Sequence, residues 1–265
     1  MPTVSTERPE CLATAAANSL ANVSASAPPS PGRISIVTIP RFYAREGTVV
    51  PTIRLRFATT NAPESMKRGL LKDRLARARR LYRFYRETGV DVAALQEAGT
   101  YAEQVDATDS RYKALWARFN DIVRGRQVGN GAVINGLRFK ARLLEDVAVG
   151  DLHIACILIT HRRTGFKFKF YAVHRPTRRA TNANLRPVID SVLKEHTKRD
   201  DAAGRPWVIA GDMNVNPWGW GTKLGSHGVD HINASHHFEP LGQQVHDRPL
   251  LSDHAFLVAD AVVEV

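Results

Sequence analysis

From Ile53 onward the chain is cut into short apolar runs separated by polar turns and by stretches with a helical repeat. That rhythm restricts it to folds assembled from many short strands with helices between them, and the expected packing is two sheets flanked by helices. The runs Ile53–Thr60, Val90–Leu95, Gly131–Asn135, Phe139–Val147, Leu152–Thr160, Lys167–Val173, Trp207–Ala210, Val229–Ala234 and Ala255–Val263 read as strands. Leu71, Leu75, Ala78, Tyr82 and Tyr85 recur at helical spacing and predict a helix from about Ser65 to Thr88, stopped by Gly89. A second helix is expected from Asp109 or Ser110, either of which can cap it, to about Val123. A third covers about Asn184–Arg199, with Pro187 confined to its first turn. No apolar run approaches the ~20 residues of a membrane-spanning helix, which excludes integral membrane classes of that kind.

Residues 1–50 differ in character. They are rich in Ala, Ser, Pro and Thr and read as a flexible leader with at most a short strand at Ile34–Ile39, leaving 51–265 as one domain. Ala25-Ser26-Ala27 imitates a signal-peptidase site, but Glu7 and Glu10 precede it and Asn18, Ser19 and Asn22 interrupt the apolar stretch. A cytoplasmic location is therefore favoured over secretion. Two cysteines, Cys11 and Cys156, cannot build a disulfide framework or a Cys-rich zinc site. The formal charge of +11 favours a polyanionic partner such as nucleic acid or acidic lipid. Of the basic residues 28 are Arg, a side chain suited to bidentate phosphate contacts.

Metal-capable polar residues recur where the apolar runs end. Asn61 follows Arg56-Phe57-Ala58-Thr59-Thr60, Glu97 follows Leu95-Gln96, and His174 follows Tyr171-Ala172-Val173. Asp212 and Asn214 follow Ile209-Ala210-Gly211, and Asp253-His254 precede the last run. Strand ends are where a rigid sheet presents side chains to a shared cleft, and carboxylates with amides suit a hard divalent cation. The set could equally be scattered surface polar groups, and for any one residue taken alone that reading is the stronger one.

Taken in order, Thr60-Asn61, Gln96-Glu97, Gly129-Asn130-Gly131, Gly211-Asp212-Met213-Asn214 and Ser252-Asp253-His254 resemble the endonuclease/exonuclease/phosphatase superfamily from about residue 53 to 265. That group includes DNase I-like nucleases, AP endonucleases, sphingomyelinases, deadenylases and inositol polyphosphate 5-phosphatases. The resemblance implies a four-layered α/β sandwich of the DNase I-like kind, with two packed mixed β-sheets flanked by helices. It implies Mg²⁺-dependent phosphoester hydrolysis, with Mn²⁺ able to substitute. Glu97, Asn61 and Asp253 then belong to the metal site. Asp212 and Asn214 position the attacking water and contact phosphate, and Asp230 orients the hydrolytic His254. His174, in Val173-His174-Arg175-Pro176, matches the histidine that protonates the leaving oxygen in DNase I-like and sphingomyelinase-like members. The chain departs from the pattern at Pro63, where an acidic residue is usual, and at His231-Ile232-Asn233, which lacks the arginine of inositol phosphatases.

Arg175, Arg178 and Arg179 lie just beyond His174, where a phosphate chain would pass, and are expected to bind substrate. Trp218 can stack on a base or pack on a loop. The nine basic residues of 67–88 read as the solvated face of an amphipathic helix. The expected function is a monomeric nuclease acting on DNA or RNA. The alternatives are a phosphatase or phospholipid phosphodiesterase of the same superfamily, or an inactive nucleic-acid-binding module.

Overall fold

Each of two sheets is organised around a parallel pair of strands, and the helix that joins each pair covers the sheet's outer face. The computed structural model describes residues 50–61, 71–97, 111–116, 121–123, 126–128, 130–150, 152–247 and 254–265. The expected leader up to residue 49, the strand at Ile34–Ile39, Pro63 and Asp253 lie outside these. In the first sheet, β1 (Thr52–Asn61) pairs in parallel with β2 (Val92–Gln96), with α1 (Leu71–Thr88) between them in the chain. Three short strands follow, β3 (Tyr112–Trp116), β4 (Asp121–Val123) and β5 (Arg126–Val128), and then β6 (Gly131–Asn135). The second sheet is a contiguous run: β7 (Phe139–Val149), β8 (Leu152–His161), β9 (Lys167–His174), α2 (Arg186–Ala202), β10 (Trp207–Asp212), β11 (Thr222–His227) and β12 (Asp230–Ala234). Here β9 and β10 are the parallel pair, joined through α2. The chain then returns to the first sheet with β13 (Phe238–His246) and β14 (Phe256–Glu264).

The strand orders are β13-β14-β1-β2-β6-β3 and β11-β12-β10-β9-β8-β7, with β4 and β5 forming a separate hairpin. Both large sheets are mixed, as the four-layered sandwich requires. A parallel pair needs a long crossover, which here is a helix, and this places α1 and α2 on the two outer faces. Phe57, Phe168, Phe170 and Phe238 fill the space between the sheets with edge-on and stacked ring contacts. Under α1, Ala78, Leu81, Tyr82, Phe84 and Tyr85 pack on Ala93, Val133 and Val258, while Arg79, Arg80, Arg83 and Arg86 face outward. Under α2, Ile189 and Leu193 pack on Tyr171, Trp207 and Ile209. Asp200 of α2, fully buried, accepts a 2.8 Å hydrogen bond from the Tyr171 hydroxyl and ion-pairs with Lys169 and Arg205. That anchors α2 to β9, the strand that carries His174.

The helix expected from Asp109 or Ser110 to about Val123 is replaced, over the described residues, by β3 and β4. Tyr112 and Ala114 are buried and Lys113 is exposed, a two-residue alternation that pairs with β6 and outweighs the capping signal. Strands β5, β11 and β13 were not expected either. The helix expected from Ser65 is described from Leu71, and Pro187 does sit in the first turn of α2.

At the pole where β1 and β2 both begin, Asp91 is buried and its two carboxylate oxygens accept hydrogen bonds from Arg138 Nη1 at 2.6 and 2.7 Å. Burial outweighs the Arg138 charge and pushes the Asp91 carboxyl up to about 6 from its ordinary 3.8. Its folded value lies above the unfolded one. Its contribution to stability is therefore complete below the ordinary carboxylate value and is lost as pH rises through about 6. A carboxyl-carbon NMR titration should find the Asp91 midpoint near 6, and a midpoint below 4 would contradict the assignment.

Candidate active site

The parallel registers bring the chain's metal-capable residues to one pole. Asn61 pairs with Gln96 across β1 and β2, so Glu97 emerges beside Asn61. Asp212 pairs with His174 on one side and with Asp230 on the other. Because β14 runs antiparallel to β1, the residues just before it, including His254, arrive at the same end. The site is thus assembled from six strand ends, three in each sheet.

Asp212 is its centre. Its Oδ2 accepts a 3.4 Å hydrogen bond from Asn61 Nδ2, and lies 3.8 Å from His174 Nε2 and 3.9 Å from His254 Nε2. Its Oδ1 accepts the Asn214 backbone N–H at 2.9 Å. His174 Nε2 is also 3.8 Å from Glu97 Oε1. On the far side of His254, Nδ1 hydrogen-bonds Asp230 Oδ2 at 3.1 Å. This fixes the ring with Nε2 turned toward Asp212. Burial pushes the Asp230 carboxyl up, opposed by the His254 hydrogen bond and charge. Glu97 and Asn214 have φ of 54° and 51° and are the non-glycine residues with positive φ among the described residues. Backbone strain of this kind persists where the surroundings over-determine it, and here it falls on two residues of the site.

Gly211 lets the two parallel strands close. A Cβ there would lie 1.8 Å from the Val173 carbonyl oxygen, at φ +155°. The Gly before Asp212 therefore sets the approach of β10 to β9, and with it the spacing of Asp212 from His174.

The residues expected to bind substrate divide. Arg178 and Arg179 are exposed on the loop after His174. Arg175 turns inward instead: it is buried, donates to Asp190 Oδ2 at 2.7 Å and to the Met213 carbonyl at 3.3 Å. Trp218 is half-buried, donates Nε1–H to Asp190 Oδ1 at 3.0 Å, and packs beside Trp220 with ring centroids 5.1 Å apart. Arg175 and Trp218 thus share Asp190 of α2 as their acceptor. Asn214 donates its amide Nδ2–H to the Arg175 carbonyl at 2.6 Å.

Arg186 was missed by the sequence reading. It is buried at the start of α2 and donates to the Asn214 carbonyl at 3.1 Å. Burial, with the charges of Arg175 and Arg178, pulls its pKa down. A cation at a helix N-terminus opposes the helix dipole, and that mismatch was the available signal.

Asn61 and Glu97 offer the amide and carboxylate oxygens that a hard divalent cation takes. Asp212, Asp230 and His254 also place ligand atoms within 4.8 Å of one another. Within that trio His254 Nδ1 is already bonded to Asp230. Both sets could hold a divalent cation, Asn61 and Glu97 through oxygens alone.

Residues 66–254 match the profile of the Endonuclease/Exonuclease/phosphatase family. The chain belongs to this family. Among solved structures it is similar to the endonuclease/exonuclease/phosphatase from Bacteroides vulgatus, at 17% identity over 80% of this chain and 100% of that one, with a TM-score of 0.56. It is similar to D. rerio TDP2 complexed with a single-strand DNA product, at 12% identity over 78% and 98%, TM-score 0.57. It is also similar to the mannosyl-6-phosphatase Bt3783 of Bacteroides thetaiotaomicron, at 16% identity over 79% and 99%, TM-score 0.52. No curated protein matches the chain in sequence. At these identities the likeness is one of fold. Family members with this architecture are largely phosphoester hydrolases, and among the described residues no helix is long and apolar enough to cross a membrane.

Proposed function

We propose that this family member is a Mg²⁺-dependent phosphodiesterase that cleaves nucleic acid. The observation that carries the reading is one buried carboxylate, Asp212, flanked by two imidazoles, His174 and His254, at 3.8 and 3.9 Å. Hydrolysis of a diester needs a proton removed from water on one side of phosphorus and one delivered to the departing oxygen on the other. Two histidines on opposite flanks of a carboxylate supply that division of labour. Asp230 holds the His254 ring and stabilises its protonated form, while Asp212 accepts the hydrogen bond of the attacking water. His174, between Asp212 and Glu97, delivers the proton to the leaving oxygen. A magnesium ion held by Glu97 and Asn61 would neutralise phosphate charge and polarise the P–O bond. Asn214, fixed through its backbone and amide, keeps the Asp212 carboxylate in one orientation.

The polymeric substrate is supported by the +11 charge and by Arg178 and Arg179 exposed beside His174. The test is Mg²⁺-dependent cleavage of supercoiled plasmid, single-stranded DNA and RNA, with mannose 6-phosphate, an inositol polyphosphate and sphingomyelin in parallel. Cutting of a polymer supports the reading and names its class. Turnover confined to a monoester or a lipid rejects it.

Glu97→Gln should raise the magnesium concentration for half-maximal activity about tenfold or more, since even partners outside a metal's direct ligands are worth about 10–100-fold in affinity. Titration of activity with magnesium, paired with calorimetric Mn²⁺ binding, checks this. Unchanged half-saturation would remove Glu97 from the metal site.

A further inference from the structure

The opposite pole of the sandwich carries a second concentration of positive charge. It is built where β1 begins, where β8 turns into β9, and where β6 turns into β7. A groove of about 380 Å³ is lined there by Arg54, Arg56, Arg138 and Arg163 over Asp91 and Asp260. A second, of about 320 Å³, shares Arg138 and Arg163 with it and adds His161 and Arg162. A third, of about 230 Å³, shares Arg162 and adds Lys113 and Lys140. The shared arginines make the three grooves one track across the end of both sheets.

Several features separate this track from an ordinary solvated surface. Its two carboxylates lie beneath its guanidinium groups: Asp91 and Asp260 side chains are 2% and 12% exposed, against 62% for Arg54 and 40% for Arg138. The surface offered to a ligand is therefore cationic although ion pairs lie under it. Arg162 Nε donates to the Gly136 carbonyl at 2.8 Å and the Phe139 carbonyl at 3.1 Å, tying the two turns together. Lys113, Lys140 and Arg163 are exposed along the track. His161 shows the resulting field: burial first, and then the charges of Arg138 and Arg163, pull its pKa down. Leu137, 65% exposed, stands on the same turn as Arg138 and offers an apolar contact that a simple anion would not use.

The ten residues of β1 separate this pole from the active site. At about 3.3 Å per residue that is about 30 Å. We propose that this pole is a second contact surface for the phosphate backbone of a nucleic-acid strand, engaged only by strands long enough to reach it from the active site. The proposal rests on the nucleic-acid reading for its partner. Spaced cations along a groove suit a repeating phosphate better than a single compact anion, and each phosphate neutralised adds to the salt dependence of binding.

The test compares the full chain with its Lys140→Glu/Arg163→Glu variant. Binding of fluorescein-labelled single-stranded DNA of 40 and of 6 nucleotides is followed by anisotropy in EDTA at several salt concentrations. The 40-mer should bind the variant about tenfold or more weakly, with the slope of log K against log salt reduced by roughly 1.4, or about 0.7 for each lost contact. Binding of the 6-mer and turnover of bis(p-nitrophenyl) phosphate should not change. The neutral variant Lys140→Ala/Arg163→Ala should show a smaller loss in the same direction, which excludes misfolding as the cause. Unchanged 40-mer affinity overturns the proposal, and so does an equal loss for the 6-mer. Loss of binding to phosphatidylglycerol vesicles with DNA affinity intact would also overturn it, in favour of a membrane surface. If the wild-type chain binds the 40-mer through these residues but cleaves no nucleic acid, the second surface stands and the nuclease reading falls.

Discussion

His254→Ala should lower kcat by roughly a thousandfold, within the range of about 10²–10⁴ typical of a positioned acid–base group, while leaving the thermal unfolding midpoint nearly unchanged. The ring is partly exposed and its side chain is 23% accessible, so little packing is lost with it. Asp230→Asn should reproduce much of the loss, because the amide cannot stabilise a protonated imidazole at Nδ1. Single-turnover rates at saturating substrate are the measurement, with KM recorded separately. A fall in kcat with KM unchanged places the two residues in the chemical step, and a change confined to KM would make them substrate ligands. Retention of full kcat in His254→Ala would dismantle the acid–base relay.

The second large effect concerns stability. Gly211→Ala should destabilise the fold by about 4 kcal/mol or prevent folding, since its Cβ would sit 1.8 Å from a backbone oxygen of the neighbouring strand. A comparison isolates the cause. Gly219 has positive φ and its Cβ would meet the Asn233 side-chain amide, also at 1.8 Å, but a side-chain end can swing away, so Gly219→Ala should cost less. Gly165 has φ +77° and open space around its Cβ, so its alanine variant should lose only about 1–2 kcal/mol from backbone strain. Urea unfolding gives the series. If Gly211→Ala costs no more than Gly165→Ala, the strand approach does not depend on the missing Cβ.

The elements that form the site were the most legible in the sequence. β1, β2, β9 and β10 lie at the centre of their sheets; β2 and β10 are buried throughout and β1 and β9 over the residues leading to the site, so each reads as an apolar run with an abrupt polar end. The strands that escaped lie elsewhere. β13 is an edge strand with Glu239, Pro240, Gln243 and Gln244 facing solvent, and the sheet needs only Phe238 from it as a fully buried anchor. β3 alternates over just five residues, a pattern too short to read in the sequence beside the helix cap before it, and its strand form comes from pairing with β6. For the site, strand position pointed to Asn61, Glu97, His174, Asp212 and His254, and only the resemblance of the motifs in order joined them and added Asp230. Direction was not legible. Arg175 follows His174 in sequence, yet its guanidinium turns toward Asp190, 15 residues away on α2. Charge says what a side chain will seek and leaves open whether the partner is a substrate or a neighbouring helix.

The return of the chain to its first sheet has a consequence for synthesis. β14 follows the whole second sheet in the chain, and it sits between β13 and β1, antiparallel to both. His254 arrives with it. A growing chain can stack the six strands of the second sheet as soon as residue 234 has emerged, but it cannot close the first sheet or bring His254 to Asp230 until residues 254–264 have followed. Until then Asp212 and Asp230 stand side by side on the second sheet without the imidazole that reaches both, so this pole of the molecule takes its finished form only after the first sheet has closed.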